Sequence, residues 1–328
     1  MPREESEPLS HSPPPAPIRS PRDPDQPDEE LTHFGFREVP AREKFRYVLR
    51  HFNSIAGKYD FMNTVLSFGL HYLWKKWAVE RLRLNPGDRV IDVCGGTADL
   101  SILAGRAVGR GGRVVLYDIN RAMIEGGRPK VLRAGLSGTV DYVQGDAECI
   151  SFPSGHFDAA MVGFGIRNVT RMEKGFAEMH RVLKPGGKMM CLEFSLPVSR
   201  WFGRLYDFYS FRIMPLAGKL LAGTLQAYLY LPESIRKFPP PQELSTMLGQ
   251  IGFSRVSYHR LTDGIAVIHT GIKQEASLCT KSAIIERTSF LEVTPPPVPS
   301  PPPSGERGGE QGGNRRPIGP SELYWPDL

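Results

Sequence analysis

The sequence is poor in cysteine, with four in 328 residues. None belongs to a C-x-x-C pair, and none clusters with histidine at the spacing of a zinc site. A scaffold built on disulfides is therefore excluded, and a bound metal is not expected. We expect reduced thiols, of which two behave as small buried apolar residues. Those two are Cys94 and Cys191, and the others are Cys149 and Cys279.

Long apolar runs are also absent. No window approaches the roughly 18 uninterrupted apolar residues that a spanning helix needs, and the start has acidic residues and prolines where an export signal would be basic and then apolar. We therefore expect a cytoplasmic protein. The formal charge of +6 suits an anionic membrane surface, but the basic residues are dispersed, so nucleic-acid binding is not expected. The oligomeric state stays open, a homodimer included.

Both ends have compositions that do not support a packed core. Residues 1–33 are rich in Pro, Ser, Asp and Glu, and residues 274–328 contain a proline run followed by glycine-rich sequence. Neither end can bury enough apolar surface to offset the entropy of ordering, so we expect two disordered tails. The folded domain is predicted to span residues 34–273.

Between the tails, segments with helical periodicity alternate with short apolar runs, which is typical of βαβ units and a parallel sheet. We predict an α/β fold with a doubly wound, mostly parallel sheet of seven strands. Two helical stretches (41–56 and 64–83) precede the first strand, and a helical insertion (200–222) follows the fifth. The predicted strands are residues 89–93, 113–117, 140–143, 157–162, 188–194, 254–260 and 265–272.

A glycine turn follows the first predicted strand. Gly95 and Gly96 separate Arg89–Val93 from the start of a helix. Because glycine has no Cβ, the backbone of such a turn can approach a ligand closely, and the next helix presents free N–H groups to it. A nucleotide-like ligand is indicated, although a plain βα turn can require glycine as well.

Polar residues follow the next two strands. Asp118 comes at the end of the second strand, where a carboxylate can bind both hydroxyls of a ribose. Asp146 and Ala147 follow the third strand, in position to meet the edge of an adenine and hold its exocyclic amine. Each position alone also suits a helix cap or a solvated acid. Their order on successive strand ends favours a nucleoside site.

The sequence of the glycine turn bears on which nucleotide binds. The turn is G-G-T-A-D and not G-x-G-x-x-G, which gives little support to the pyrophosphate site of a nicotinamide dehydrogenase. S-adenosylmethionine has no phosphate. Its sulfonium and amino-acid tail suit a loop with Asp92 or Asp99 nearby, and Thr97 offers a hydroxyl. We therefore predict S-adenosylmethionine as the cofactor.

Two longer motifs carry a resemblance to a known family. Residues 58–75 match the pattern Y-D-x-M-N-x-x-(apolar)-S-x-x-x-H-x-x-W at every fixed position, and residues 181–195 match R-V-(apolar)-K-P-G-G-x-(apolar)-x-x-(apolar)-E-x-S. Both are signatures of the ubiquinone/menaquinone C-methyltransferase family, which the chain resembles over residues 34–273. The resemblance implies a class I, Rossmann-like methyltransferase fold.

The resemblance also implies the cofactor contacts. By position they fall at Thr97, Asp118 and Asp146–Ala147, beside the turn glycines. A serine of the family pattern is Gly163 here, so only a backbone contact is expected there. The family's G-G-T-G-D has Ala98 as its fourth residue in this chain, which we expect to be tolerated at a helix start with negative φ.

The implied reaction is attack of a quinol ring carbon on the methyl group of S-adenosylmethionine. Arg167 and Asn168, directly after the fourth strand, are the first catalytic candidates. The arginine would stabilise a phenolate, and the amide would orient the hydroxyl. The second choices are Tyr59, Asp60, His71 and Glu193. For His71 the alternative is packing on one face of a helix.

The implied acceptor is a prenylated quinol, with demethylmenaquinol favoured over a methoxy-polyprenyl benzoquinol or the use of both. Tyr206, Tyr209 and Phe211 are expected to line an apolar slot for its chain. Such a substrate lives in the bilayer, so we expect peripheral contact with the inner face of the membrane through the 200–222 helix, for which a lid is the alternative. A non-catalytic, partner-binding subunit of quinone synthesis stays open as a second function.

Overall fold

Nine strands are present in the part of the chain that the computed structural model describes, residues 30–214, 216 and 226–274. They are β1 (Leu31–Phe34), β2 (Arg37–Pro40), β3 (Arg89–Val93), β4 (Arg113–Asp118), β5 (Val140–Gln144), β6 (Phe157–Gly163), β7 (Leu183–Phe194), β8 (Phe253–Leu261) and β9 (Ala266–Lys273). β1 and β2 pair as an antiparallel hairpin. The other seven form one sheet in the order β5-β4-β3-β6-β7-β9-β8, in which β9 is antiparallel to its neighbours.

Helices cover both faces of this sheet. They are α1 (Ala41–Ile55), α2 (Tyr59–Leu66), α3 (Leu70–Leu82), α4 (Asp99–Val108), α5 (Arg121–Arg133), α6 (Met172–Val182), α7 (Arg200–Phe208), α8 (Gln226–Lys237) and α9 (Pro241–Ile251). Within the described ranges, no helix combines the length and the apolar character that crossing a membrane requires.

The two faces of the sheet pack under different helices. Successive residues of β3 alternate between them, with Val90 in the core beneath α3, α4 and α5 and Ile91 in the core beneath α6 and α9. Because both faces of the sheet are covered, β4 is apolar from Val114 to Tyr117 and β6 from Ala159 to Val162. The predicted doubly wound, mostly parallel sheet of seven strands is confirmed.

The helix predicted at 64–83 is two helices in the structure. Phe68 and Gly69 adopt φ values of 51° and 74°, which end α2 before α3 begins. A left-handed conformation costs a residue with a Cβ roughly 1–2 kcal/mol, whereas glycine adopts it freely. Gly69 is the only helix-ending signal at this break, and a single glycine is tolerated within a helical stretch, so the sequence pattern did not predict it.

The insertion predicted at 200–222 also differs. It begins as α7 and continues over Tyr209–Ile213 as a π-helical turn. Residues 215 and 217–222 lie outside the described residues. The strand predicted at 188–194 begins earlier, because the L-K-P-G-G corner is included in β7 with a shift of register against β6.

The hairpin of β1 and β2 was not predicted. It begins at Leu31, within the stretch 1–33 that we expected to be disordered, so the boundary of the folded part at residue 34 is wrong at this end. Gly35 makes the turn with a φ of 62°. Residues 1–29 and 275–328, on which the remainder of the two predicted tails falls, lie outside the described residues.

Candidate active site

Two adjoining cavities open at the carboxyl ends of the central strands. The first is lined by the glycine turn after β3 and by the loops after β4, β5 and β6, with α1 as its outer wall. The second lies between α1, α2, α3, α7 and α8. Phe52, Tyr59 and Phe164 line both cavities, so these side chains form the wall that the two share. A ligand in one cavity would therefore meet a ligand in the other here.

Asp118 occupies the position predicted for it in the first cavity. Its Oδ2 accepts a hydrogen bond from the backbone N–H of Gly96 at 2.9 Å, and its Oδ1 accepts one from that of Asn120 at 2.8 Å. Burial raises the pKa of Asp118 to about 6, and these two backbone donors oppose the rise. A carboxylate has about four lone-pair sites. Two of them remain for ligand hydroxyls, which fits the ribose of S-adenosylmethionine.

The structure brings the other predicted cofactor residues of the strand ends to the same cavity. Asp146 and Ala147 line it, and Asp146 Oδ1 accepts the backbone N–H of Glu148 at 2.9 Å. Gly163 lines it as well, and a Cβ there would lie 2.5 Å from Leu100 Cδ1. A side chain at position 163 would thus require Leu100 to move, which agrees with the expectation of a backbone contact alone.

One expectation about the glycine turn is wrong. Ala98 has a φ of 72°, not the negative value that we expected, and therefore carries its methyl group in the left-handed region. Cys94, at the other end of the turn, has a φ of 56°. Cys94 also lines the first cavity and is only half-buried, so it is not the plain core residue that we expected. Gly95 packs beneath the turn, where a Cβ would lie 2.8 Å from Leu116 Cγ.

Thr97 and Asp60 are joined to each other and do not line either cavity. The Thr97 hydroxyl donates to Asp60 Oδ1 at 2.6 Å, and Lys130 binds Asp60 Oδ2 at 2.7 Å. Asp99 pairs with Lys75 at 2.7 Å and also with Lys130. These five side chains link α2, α3 and α5 to the glycine turn after β3. The ligand contact predicted for Thr97 and the catalytic role predicted for Asp60 stay predictions.

The second cavity has a volume of about 370 Å³ and mostly apolar and aromatic walls. Tyr206 and Tyr209 line it, as expected, whereas Phe211 does not. The Phe211 ring instead lies 4.3 Å from the guanidinium carbon of Arg236. Arg167 and Lys75 are the cations in its lining, and Lys75 is paired with Asp99. The guanidinium carbon of Arg167 lies 5.5 Å from the ring centre of Phe194. The cavity suits a long apolar molecule with one polar end.

Arg167 is fixed by a buried ion pair. Its Nη1 donates to Glu193 Oε1 at 2.8 Å, and its Nε donates to Ser234 Oγ at 3.3 Å. Burial raises the pKa of the Glu193 carboxyl, and the attraction of Arg167 acts against that rise. Glu193 Oε2 is buried without a hydrogen-bond partner among the described residues. Glu193 does not line the cavity, so it acts on any ligand through Arg167.

Arg167 and Asn168 are consecutive but face different cavities. Arg167 lines the second cavity and Asn168 the first, because the 3₁₀ turn after β6 passes between them. Asn168 Oδ1 accepts the hydroxyl of Tyr230 at 2.7 Å. The two residues that the sequence singled out first thus meet where the two cavities adjoin.

Two histidines line the second cavity, and only one was predicted. Burial, with Lys75 nearby, lowers the pKa of His71 to about 4, and its Nδ1 has no partner among the described residues. His71 is also packed on a helix face, so both of its predicted roles remain open. Burial, with Arg167 nearby, lowers the pKa of His51 to about 4. His51 belongs to no motif; α1 carries it to the site, where its ring centre lies 4.8 Å from that of Tyr230.

Fold and site together define the class of protein. An S-adenosylmethionine-dependent methyltransferase has a glycine turn after the first strand of a mostly parallel sheet and an acid at the end of the second strand. It also has a second cavity next to the cofactor. This chain has all three features. A chain of the complex between the Haloferax volcanii Trm112 methyltransferase activator and a putative methyltransferase has a similar fold. The TM-score is 0.50 and the identity 15%, over 68% of this chain and 98% of that one, which supports the fold alone.

The sequence comparisons give the family. The model of the ubiE/COQ5 methyltransferase family matches residues 40–273, and the chain belongs to this family. The ubiquinone/menaquinone biosynthesis C-methyltransferase UbiE of Azotobacter vinelandii is 49% identical over 245 residues, which are 75% of this chain and 97% of that protein. The protein of the same name from Pseudomonas putida is 47% identical, over 75% of this chain and 96% of its own. The predicted family and cofactor are confirmed.

Proposed function

We propose that the chain methylates a ring carbon of a prenylated quinol, the reaction class that the names of its relatives describe for them, with demethylmenaquinol as the acceptor. The observation that carries the proposal is the placement of Arg167 in the wall of the mostly apolar second cavity, next in the chain to Asn168 in the wall of the first. An apolar chain fits the walls and a phenol fits the arginine.

S-adenosylmethionine supplies an electrophilic methyl group when it is bound. Asp118 accepts the ribose hydroxyls, and Asp146 with Ala147 meets the adenine edge. Gly96 allows close approach of the backbone because its φ of 52° is in the region that glycine adopts freely. Holding both reactants close and aligned is the main contribution of such a site, worth roughly 7–11 kcal/mol of the barrier.

Arg167 makes the acceptor carbon nucleophilic by stabilising the phenolate next to it. Burial alone would lower the pKa of Arg167, but Glu193 raises it above the usual value, so the guanidinium stays charged throughout the working pH range. Assistance of this kind contributes about 10²–10⁴ in rate. Bound S-adenosylmethionine would supply the methyl group and leave as S-adenosylhomocysteine, and the ring proton would pass to water, which restores the aromatic ring.

The surface around the second cavity supports contact with a membrane. Phe68, Leu205 and Ile213 line the cavity and are at the same time exposed, Phe68 by 79%. Trp201 and Phe208 extend the exposed apolar surface of α7. We propose that this surface binds the inner face of the membrane and takes the prenyl chain from it, because a soluble protein rarely exposes so many large apolar side chains around one opening.

The test is methyl transfer by the purified full chain. The chain is incubated in detergent with methyl-labelled S-adenosylmethionine and either demethylmenaquinol or a methoxy-polyprenyl benzoquinol, and the products are analysed by mass spectrometry. Label on the naphthoquinol ring alone is the expected result. Label on the benzoquinol alone would overturn the choice of acceptor, and cofactor binding without transfer to either would favour a partner-binding subunit of quinone synthesis.

A further inference from the structure

Helix α8 contacts Arg167 and Asn168 in the turn after β6. The Tyr230 hydroxyl donates to Asn168 Oδ1 at 2.7 Å, and Ser234 Oγ accepts from Arg167 Nε at 3.3 Å. Tyr230 and Ser234 are four residues apart, so they lie on one face of α8 in successive turns. Two neighbouring side chains of one helix therefore hold two neighbouring side chains of the turn.

The bond to Tyr230 determines which group Asn168 offers to a ligand. A side-chain amide has one acceptor oxygen and one donor nitrogen. The oxygen accepts from Tyr230, and the Nδ2 of Asn168 has no hydrogen-bond partner among the described residues. Burial raises the pKa of Tyr230 to about 12, so its hydroxyl remains a donor. The amide nitrogen is thereby left to donate to what occupies the cavity.

The β1–β2 hairpin also contacts this part of α8. The ring of Phe34 stacks on that of Tyr230 with centroids 4.3 Å apart, and the backbone N–H of Phe36 donates to Glu233 Oε2 at 3.1 Å. Gly35 packs against the Glu233 side chain, which an added Cβ would displace. Tyr230 thus contacts the hairpin with its ring and Asn168 with its hydroxyl, which limits the positions that this side chain can take.

We propose that Tyr230 and Ser234 are positioning residues, which orient Asn168 and Arg167 for methyl transfer and make α8 a required part of the site. This inference rests on the proposed function. It assigns no contact with the reacting atoms to Tyr230 or Ser234. It predicts instead that each of them matters only while its partner in the turn is present.

A double-mutant cycle on the full chain tests the first pair. We expect Tyr230→Phe to lower kcat about 10-fold or more and to change KM for the quinol and Kd for S-adenosylmethionine less than about threefold, because Asn168 loses its orienting donor. In the Asn168→Ala background the same change should have no further effect. Tyr258→Phe, which removes an exposed hydroxyl bonded to Gln242, is the matched control. Equal losses in both backgrounds, or an unchanged kcat, would overturn the inference.

A second measurement does not depend on activity, and so separates this inference from the proposed function. Side-chain amides of the ¹⁵N-labelled chain are observed by NMR, and the Asn168 signal is assigned by its loss in Asn168→Ala. We expect Tyr230→Phe to shift this signal and Tyr258→Phe to leave it in place. An unmoved signal would overturn the inference even in an active enzyme. A shifted signal in a chain that methylates no quinol would support the contact and reject the proposed reaction.

Discussion

Asp118 is a buried carboxylate, and the proposed contact with the ribose requires its charge. Burial raises its pKa to about 6, and only the ionised form has lone pairs for two ribose hydroxyls besides its backbone donors. Below that pKa the folded protein holds a proton that binding must release. We therefore expect the affinity for S-adenosylmethionine to fall by up to about tenfold per pH unit as the pH decreases below about 6. Calorimetric titrations between about pH 5 and 8 measure this slope.

Two variants test whether Asp118, and not another acid, causes this pH dependence. In Asp118→Asn the affinity should be weak and nearly independent of pH. Asp141→Asn removes an exposed acid of neighbouring β5 and should keep the slope of the unchanged chain. If Asp118→Asn kept that slope, another group would be responsible for it.

The left-handed conformation of Ala98 should lower the stability of the folded chain. An alanine with a φ of 72° bears a strain of roughly 1–2 kcal/mol that glycine does not, and the greater freedom of glycine in the unfolded chain offsets part of the gain. We expect Ala98→Gly to raise the free energy of unfolding by about 1 kcal/mol in denaturant titrations. Ala107→Gly, at an exposed position within α4, should lower it by about the same amount. A loss of stability in Ala98→Gly would contradict the strain.

At the residue scale, the sequence predicts the position of a site residue when that position follows from the order of strands along the chain. Asp118, Asp146 and Arg167 follow strands whose carboxyl ends meet at one edge of the sheet, so a strand prediction is enough to bring them together. The sign of φ at Ala98 depends on the path that the backbone takes after β3, and this path cannot be predicted from the residue pattern. His51 reaches the second cavity only because α1 packs across the site, a tertiary contact without a motif.

At the element scale, the hairpin of β1 and β2 should affect catalysis from a distance. Gly35→Ala places a Cβ against the Glu233 carboxylate at a residue with a φ of 62°. The carboxylate must then turn away from the backbone N–H of Phe36, and α8 loses this bond to the hairpin. We expect a loss of at least about 1 kcal/mol of stability and a lower kcat, with little change in cofactor affinity. Unfolding curves and steady-state rates measure both effects.

Gly57→Ala is the matched control for the hairpin. Gly57 lies between α1 and α2 with a negative φ, and nothing is within 4 Å of its added Cβ. Its rate and stability should stay close to those of the unchanged chain. If Gly35→Ala kept its kcat while losing stability, the hairpin would support the fold and not the site.

Elements were predicted where periodicity is long enough to measure. α1 and the seven strands of the sheet have such patterns, and the structure contains all of them. The strands of the hairpin have four residues each, too few for a pattern of alternation to stand out. The break between α2 and α3 is marked in the sequence by Gly69 alone, so it becomes clear only from the backbone angles of Phe68 and Gly69.

At the scale of the whole molecule, the exposed apolar surface around the second cavity predicts membrane binding. Replacing Trp201, Leu205 and Phe208 together by Gln removes the apolar side of α7 that solvent reaches. We expect the fraction of protein that sediments with anionic lipid vesicles to fall several-fold, because binding depends on buried apolar area. Leu132→Gln removes an exposed leucine of α5 and should leave sedimentation unchanged. Equal sedimentation of the triple variant would reject α7 as the contact.

In the proposed reaction, the buried Arg167 beside the junction of the two cavities directs a methyl group to a quinol ring carbon. Replacing Arg167 and Glu193 together by Gln removes the cation without leaving an unpaired buried charge. The decisive measurement is single-turnover transfer of a deuterated methyl group from S-adenosylmethionine to demethylmenaquinol. The unchanged chain should place the label on the ring carbon, and the double variant should do so about 100-fold more slowly or worse, with cofactor affinity retained. Label on a hydroxyl oxygen, or equal rates for the two proteins, would contradict the account.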